Sequence, residues 1–323
     1  MQYRKFGKLN WKVSEVGYGM WGLAGWTQLD DKETVKALDK SVELGCNFFD
    51  TAWDYGAGKS EQILAALLKR HAHKKLYVST KIPPMNKKWP PVKGSSIDAV
   101  FPVKHLLEYT DKSLKNLQVE SIDLMHFHVW EDEWSERDEW KLVVEKLKKE
   151  GKVKSFGISV NRWEPANCLN TLDTGLIDAV QVIYNIFDQS PEDELFPYCK
   201  KNNIAVIARV PFDEGSLTGA LTKETQWEEG DWRNIYFCGE NLNPTVDRVG
   251  ELKKVLPSGM TLAELALKFI KANPVVSTMI PGMRKVRNVE SNMNISDAAV
   301  LNPDLFNLLK KHRWDRQPTS WSC

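Results

Sequence analysis

The feature that most restricts the fold of this chain is a regular alternation of strand-like runs with helical patterns. The runs fall near Val16–Met20, Asn47–Asp50, Leu76–Lys81, Ile122–His128, Val153–Ser159, Ala179–Ile183, Ile204–Arg209 and Val275–Ile280. Short apolar strands separated by amphipathic helices specify a parallel sheet, and eight such units specify a closed α/β barrel, the (β/α)8 TIM barrel. Ahead of them, the period-2 stretch Gln2–Phe6, the turn Gly7-Lys8-Leu9-Asn10 and the run Trp11–Ser14 predict an N-terminal β-hairpin. Extra helices are expected near the C-terminus. No internal repeat or long linker divides the chain, so residues 1–323 are expected to form a single domain.

The helix starts have a mechanism. Thr261-Leu262-Ala263-Glu264 is a capping box, and Leu262, Leu265, Ala266, Phe269 and Ile270 then share one face. Ser190-Pro191-Glu192-Asp193 places an N-cap serine before an N1 proline. Leu107, Leu114 and Leu117 mark the apolar face of the helix after the Leu76–Lys81 strand. Two connections, Pro83 to Val103 and Pro211 to about Thr245, are too long for plain βα loops. Their tryptophans (Trp89, Trp227, Trp232) suit the wall of a binding site. The tail from Trp314 to Cys323 is expected to fold over the same mouth.

Composition excludes several classes. Lys+Arg 44 against Asp+Glu 43 leaves a net charge of +1, which gives no electrostatic case for nucleic acid or an anionic membrane as a partner. No run approaches the ~18 apolar residues of a membrane span, and the N-terminus lacks the apolar core of a signal peptide. Five scattered cysteines without a C-x-x-C pair argue for a reducing compartment, so a cytoplasmic location is expected.

Three strands end in ionisable residues: Asp50, Lys81 and His128, with Tyr55 five residues after Asp50. The C-terminal strand ends of a parallel barrel form one rim, where active sites are built. A phenol with a pKa of ~10 is a weak acid at neutral pH. A nearby ammonium favours the phenolate and eases proton donation. Lys81 supplies that charge, Asp50 holds Lys81 in place, Tyr55 donates the proton and His128 orients a carbonyl oxygen. Taken singly, each has a plainer reading: a helix cap, a loop aromatic, a solvated strand end, a core histidine. His126 lies two residues before His128 on the same strand face, so either could be the site histidine. An H-x-H metal pair lacks a third ligand at suitable spacing, so no metal is expected.

The segment Asp50-Thr51-Ala52-Trp53-Asp54-Tyr55-Gly56 with Gly58 and Ser60-Glu61, then Lys81, then His128 after Ile122-Asp123-Leu124, resembles the aldo-keto reductase pattern. So do Gly151–Ser159, Gln181 with Tyr184-Asn185, Pro211 to Gly219, and Ile280-Pro281-Gly282-Met283-Arg284 with Glu290 and Asn292. The spacing from Asp123 in the pattern that this region resembles selects His128 and leaves His126 as an expected hydrogen-bonded core residue. The resemblance implies reduction of an aldehyde or ketone by a nicotinamide cofactor, with Asp50, Tyr55, Lys81 and His128 as the catalytic set. It places Met20 and Trp21 beneath the nicotinamide and Ser159 and Gln181 on its carboxamide. Pro211, Ser216, Leu217, Thr218 and Gly219 would lie along the pyrophosphate. Gly282, Arg284, Asn288 and Asn292 would hold the adenosine end. The loop and helix start at Gly282-Met283-Arg284 would bind phosphate, and Arg284 favours NADPH, with NAD as the other option.

Two positions depart from the family pattern. Val160 follows Ser159 where asparagine is usual, with Asn161 one later. Arg209 stands where an aromatic residue usually stacks on nicotinamide, and a cation there repels the oxidised ring. The expected partner is a small carbonyl compound, and the protein is a monomer or homo-oligomer. A regulatory role like that of potassium-channel β subunits, with little turnover, is the alternative. A glycosidase using Asp50 and Asp54 is a remote third.

Overall fold

Buried parallel strands are apolar on both faces, and here every residue of Tyr77–Ile82 and of Ile122–Phe127 is buried. The computed structural model describes residues 1–23, 31–238 and 241–315. An antiparallel hairpin of β1 (Tyr3–Lys5) and β2 (Lys12–Ser14) comes first. Eight parallel strands follow: β3 (Tyr18–Gly19), β4 (Phe48–Asp50), β5 (Tyr77–Ile82), β6 (Ile122–Phe127), β7 (Val153–Ser159), β8 (Ala179–Ile183), β9 (Ala205–Arg209) and β10 (Val276–Met279). Each pairs with the next in chain order. The seam between β10 and the first strand is closed by parallel bridges Val16 to Met279 and Gly19 to Gly282. Gly17 N donates to Met279 O (2.8 Å) and Gly19 N to Pro281 O (3.0 Å). Glycine is required at position 19, because a Cβ there would stand 2.5 Å from Ile280 O. The expected hairpin-plus-barrel architecture is thus present, and each expected strand lies within two residues of its predicted limits.

Side chains alternate across a strand, so residues two apart share the barrel interior. At the N-terminal end that interior is apolar: Phe48, Tyr77, Leu124, Ala179, Ala205 and Ile207 pack with Phe6 and Val13 of the hairpin. Phe6 stacks on Trp11 at 5.4 Å between centroids. The hairpin therefore plugs the bottom. Two residues further along the same strands stand Asp50, Ser79, His126, Gln181 and Arg209. The interior becomes polar only toward the C-terminal rim.

Local expectations are met unevenly. Thr261 Oγ accepts from Glu264 N at 3.1 Å and opens the helix Leu262–Ala272, whose predicted face is buried. Ser190 is no N-cap: residues Ser190–Glu192 form one 3-10 turn, and the α-helix begins at Leu195. In the helix Val103–Leu117 the core face is Leu106, Thr110, Ser113 and Leu117, while Leu107 and Leu114 are only half-buried. The long connection after β5 holds a helix Ile97–Val100 capped by Ser96, and that after β9 holds helices Arg233–Tyr236 and Leu242–Lys254. With Pro303–Lys310, these are the extra helices. The tail beyond residue 315, Trp321 included, lies outside the described residues.

His126 is in the core, but the expected hydrogen bonds are not made. Neither ring nitrogen has a partner of good geometry, and burial pushes its pKa down to about 3. The ring fills the space over Gly157, where a Cβ would come within 2.5 Å of it. Gly157→Ala is therefore expected to destabilise by about 1–3 kcal/mol through overpacking. In a urea-unfolding cycle with His126→Ala, the double variant should lose less than the sum of the two single variants.

Candidate active site

The C-terminal ends of β4, β5 and β6 and the loops after them build a single cluster. Lys81 is fully buried and donates all three ammonium protons: to Asp50 Oδ2 at 2.6 Å, to Thr51 O at 2.7 Å and to Tyr55 Oη at 3.4 Å. Asp50 Oδ1 accepts from Ser79 Oγ and from Gln181 Nε2, both at 2.8 Å. Gln181 thus reaches across the barrel to the carboxylate instead of lying free for a ligand. The Tyr55 and His128 rings meet edge to face at 5.9 Å, and Trp89 approaches His128 in the same way at 5.8 Å.

Electrostatics follow from this burial. Burial alone would strip the proton from Lys81; the Asp50 carboxylate and Tyr55 oxygen more than offset it and raise its pKa above the ordinary lysine value. The Tyr55 result corrects the simpler expectation. Burial raises its pKa above the usual phenol value, and Lys81, with a smaller pull from Arg209, only partly restores it. His128 is held far below the usual imidazole range by burial and by the positive charges of Lys81 and Arg209. At neutral pH the site therefore presents a protonated phenol, a charged ammonium and a neutral imidazole.

These residues open into a cavity of about 680 Å³ that runs along the rim from Met20 to Arg284. Of the expected site residues, Asp50, Tyr55 and His128 line it, as do Met20, Trp21, Ser159, Gln181, Arg209, Pro211, Gly282 and Arg284. Lys81 stands behind Tyr55. Six others do not line the wall. Ser216 donates to Asp213 at 2.7 Å inside a buried turn, Leu217 is core, and Thr218 is exposed with its hydroxyl on Gly215 O. Gly219 takes φ 77° at the end of that turn, Asn288 is exposed and Asn292 is buried in its helix. The last helix of the rim begins at Val286, later than expected, and its first N–H donates to Glu33 Oε1 at 2.9 Å. At this end the cavity wall is made by Arg284 and Gly282 and not by the helix N-terminus. Asn161 does line the cavity, but its Oδ1 is held by Trp163 N at 3.0 Å.

Sequence reasoning missed the buried network beneath this wall. Arg162 forms a fork to Asp188 at 2.8 and 2.9 Å, reaches Asp213 at 3.3 Å and donates to Tyr236 Oη. Tyr236 in turn donates to Asp213. Residues 211–219 and 233–236 are thereby tied to the barrel through one guanidinium. Arg162 offered no sequence signal, since its partners lie 26, 51 and 74 residues away. Glu214 was missed too, although an acid pair, Asp213-Glu214, inside an otherwise neutral segment marked the place.

With this geometry in view, comparison with known proteins is informative. The model of the aldo/keto reductase family matches residues 15–313, and the chain belongs to that family of oxidoreductases. An aldo-keto reductase of Bacillus subtilis, YhdN, is 26% identical over 302 residues, covering 92% of this chain and 89% of the relative. A probable voltage-gated potassium channel subunit beta of Arabidopsis thaliana is 28% identical over 322 residues, covering 93% of each. The holo form of an aldo-keto reductase from Bacillus halodurans superposes with a TM-score of 0.79 at 25% identity, covering 100% of this chain and 99% of that one.

The ion pair beneath the phenol makes a direct stability prediction. Asp50→Asn leaves a buried ammonium without its counter-charge, so urea unfolding should show a loss of about 3–5 kcal/mol. A loss below about 1 kcal/mol would mean that the pair is solvated.

Proposed function

We propose that the protein is a single-domain NADPH-dependent carbonyl reductase that converts an aldehyde or ketone to an alcohol. The observation carrying this reading is the three-way coordination of Lys81 by Asp50, Thr51 O and Tyr55, which holds one phenol at the edge of the cavity. Among the described residues the site offers proton donors but no redox group, so the reducing equivalent must come from a bound cofactor. The composition of the cavity wall supports this reading. It combines the Trp21 ring, the Ser159 and Tyr55 hydroxyls and two cations, Arg284 and Arg209, the latter with a buried Nε that makes no hydrogen bond among the described residues. Met20, Ser159 and Pro211 would hold the cofactor along this wall, and Arg284 its 2′-phosphate. Bound there, the cofactor supplies hydride to the carbonyl carbon.

The protein residues do the rest. The neutral His128 imidazole donates a hydrogen bond to the carbonyl oxygen and sets its position. Tyr55 passes its phenolic proton to that oxygen as negative charge develops. The Lys81 ammonium, already hydrogen-bonded to Oη, stabilises the phenolate that forms. Asp50 keeps Lys81 charged throughout. Trp89 and Trp232 with Pro90 and Pro91 exclude water from the reacting carbonyl and favour an apolar or aromatic substrate body.

A cofactor-binding regulatory role is the second reading, favoured by the likeness to probable potassium channel β subunits. The two separate in one experiment with NADPH and 4-nitrobenzaldehyde. On the reductase reading, Tyr55→Phe lowers kcat by at least about 100-fold while NADPH affinity stays within a factor of about two. A parent protein that binds NADPH but turns over no faster than Tyr55→Phe would favour the regulatory role. Arg284→Ala should weaken NADPH about tenfold and leave NADH nearly unchanged. Equal losses for both nucleotides would remove Arg284 from the 2′-phosphate.

A further inference from the structure

Two ionisable side chains on the cavity wall, Arg209 and Glu214, make no hydrogen bond to Asp50, Tyr55, Lys81 or His128 among the described residues. Arg209, the last residue of β9, has a buried Nε without a partner, and its Nη2 makes one long donation to Val160 O at 3.3 Å. Glu214 follows in a sharp turn where Val210, Asp213 and Glu214 all take left-handed backbone, with φ of 53°, 46° and 54°. It lines the same cavity and makes no hydrogen bond or ion pair among the described residues.

We propose that Arg209 and Glu214 together set how strongly the protein discriminates reduced from oxidised nicotinamide. The inference rests on the reductase reading. A hydride donor must bring its ring carbon within about 3.5 Å of the carbonyl carbon, so the ring lies in the corner of the cavity occupied by Tyr55 and His128. Arg209 acts electrostatically on both of those residues, which puts its charge within reach of any ring bound there. The reduced ring is neutral and the oxidised ring carries one positive charge. A fixed guanidinium in a water-poor cavity therefore repels only the oxidised form. It also favours the negative charge that develops on the substrate oxygen.

Glu214 adjusts this repulsion. The charged groups facing it are Asp213 on its own turn, Arg209 at the end of β9, Arg162 from the loop after β7 and Arg233 from the short helix 233–236. Arg162 is already held by Asp188 and Asp213, and Arg233 by Asp231. Arg209, which has no ion pair among the described residues, is left as the cation on which Glu214 acts at longer range, with Tyr55, Tyr236 and the like charge of Arg162 as its other neighbours. Burial, reinforced by Asp213, pushes the Glu214 carboxyl up to about 7. Below that value the arginine charge is unopposed and oxidised cofactor is rejected; above it the carboxylate on the same cavity wall offsets part of that charge and the rejection relaxes.

The test is a tryptophan-fluorescence titration of the full-length protein with NADPH and with NADP+, from about pH 6 to about pH 8.5. The ratio of the two Kd values is the readout, because the phosphates are common to both nucleotides and cancel. In the parent, NADPH should bind at least about tenfold more tightly at the acid end, and the ratio should shrink as pH rises. Glu214→Gln should hold the high ratio across the whole range. Arg209→Met should bring the ratio close to one at every pH, and Arg209→Lys, which keeps the charge, should retain the preference and shows that the site tolerates substitution. A ratio independent of pH and unchanged in Arg209→Met overturns the inference but leaves the reductase reading in place. A parent that binds neither nucleotide overturns both.

Discussion

The site depends on a lysine ammonium kept charged where water cannot reach it. Lys81 lies buried near the C-terminal end of a barrel strand, and a lone ammonium there would shed its proton or drag the strand toward solvent. It does neither, because a carboxylate, a backbone carbonyl and a phenol take its three protons. Asp50 is fixed in turn by Ser79 and Gln181, so donors from β5 and β8 hold the carboxylate of β4. The ion pair is thus a cross-brace inside the barrel as well as the support of the phenol. The loop residue Tyr55 is thus held by Lys81 and, through it, by Asp50, which both belong to strands.

The two-residue period of a β-strand organises the rest. Phe48 and Asp50, Tyr77 with Ser79 and Lys81, and Leu124 with His126 and His128 are successive steps along three interior columns. The lower steps pack on the hairpin; of the upper ones Asp50 and His128 line the cavity, and Lys81 stands behind Tyr55. Shifting any one strand by a residue would turn its whole column outward. Core packing at the bottom therefore fixes the chemistry at the top. His126 stands at the crossover: it is buried like the core, polar like the rim, and fitted against a glycine that leaves room for its ring.

Much of this was legible in the sequence, because strand-end chemistry repeats with the strands. The eight runs and the hairpin follow from periodicity, while Asp50, Tyr55, Lys81 and His128 came from strand-end position together with the family resemblance, and the structure gathers them in one cluster. What escaped was set by the long connections, whose partners are distant in sequence. Arg162 and its contacts to Asp188, Asp213 and Tyr236 fold the wall into place, and no local pattern announces them. Ser216, Leu217 and Thr218 carry the right residue types for a ligand loop, yet the turn spends them on its own hydrogen bonds and packing. The Tyr55 acidity was misjudged because burial outweighs the nearby cation, a balance that spacing alone does not reveal.

The central claim is that Lys81 stays protonated in the barrel because Asp50 and Tyr55 share its charge. Nitrogen-15 NMR of lysine-labelled protein reads that state directly. The Lys81 signal should remain that of an ammonium, with slowly exchanging protons, to beyond the ordinary lysine value of 10.5. A Lys81 signal that loses its proton between about pH 6 and about pH 8, as an unpaired buried lysine does, would contradict the account.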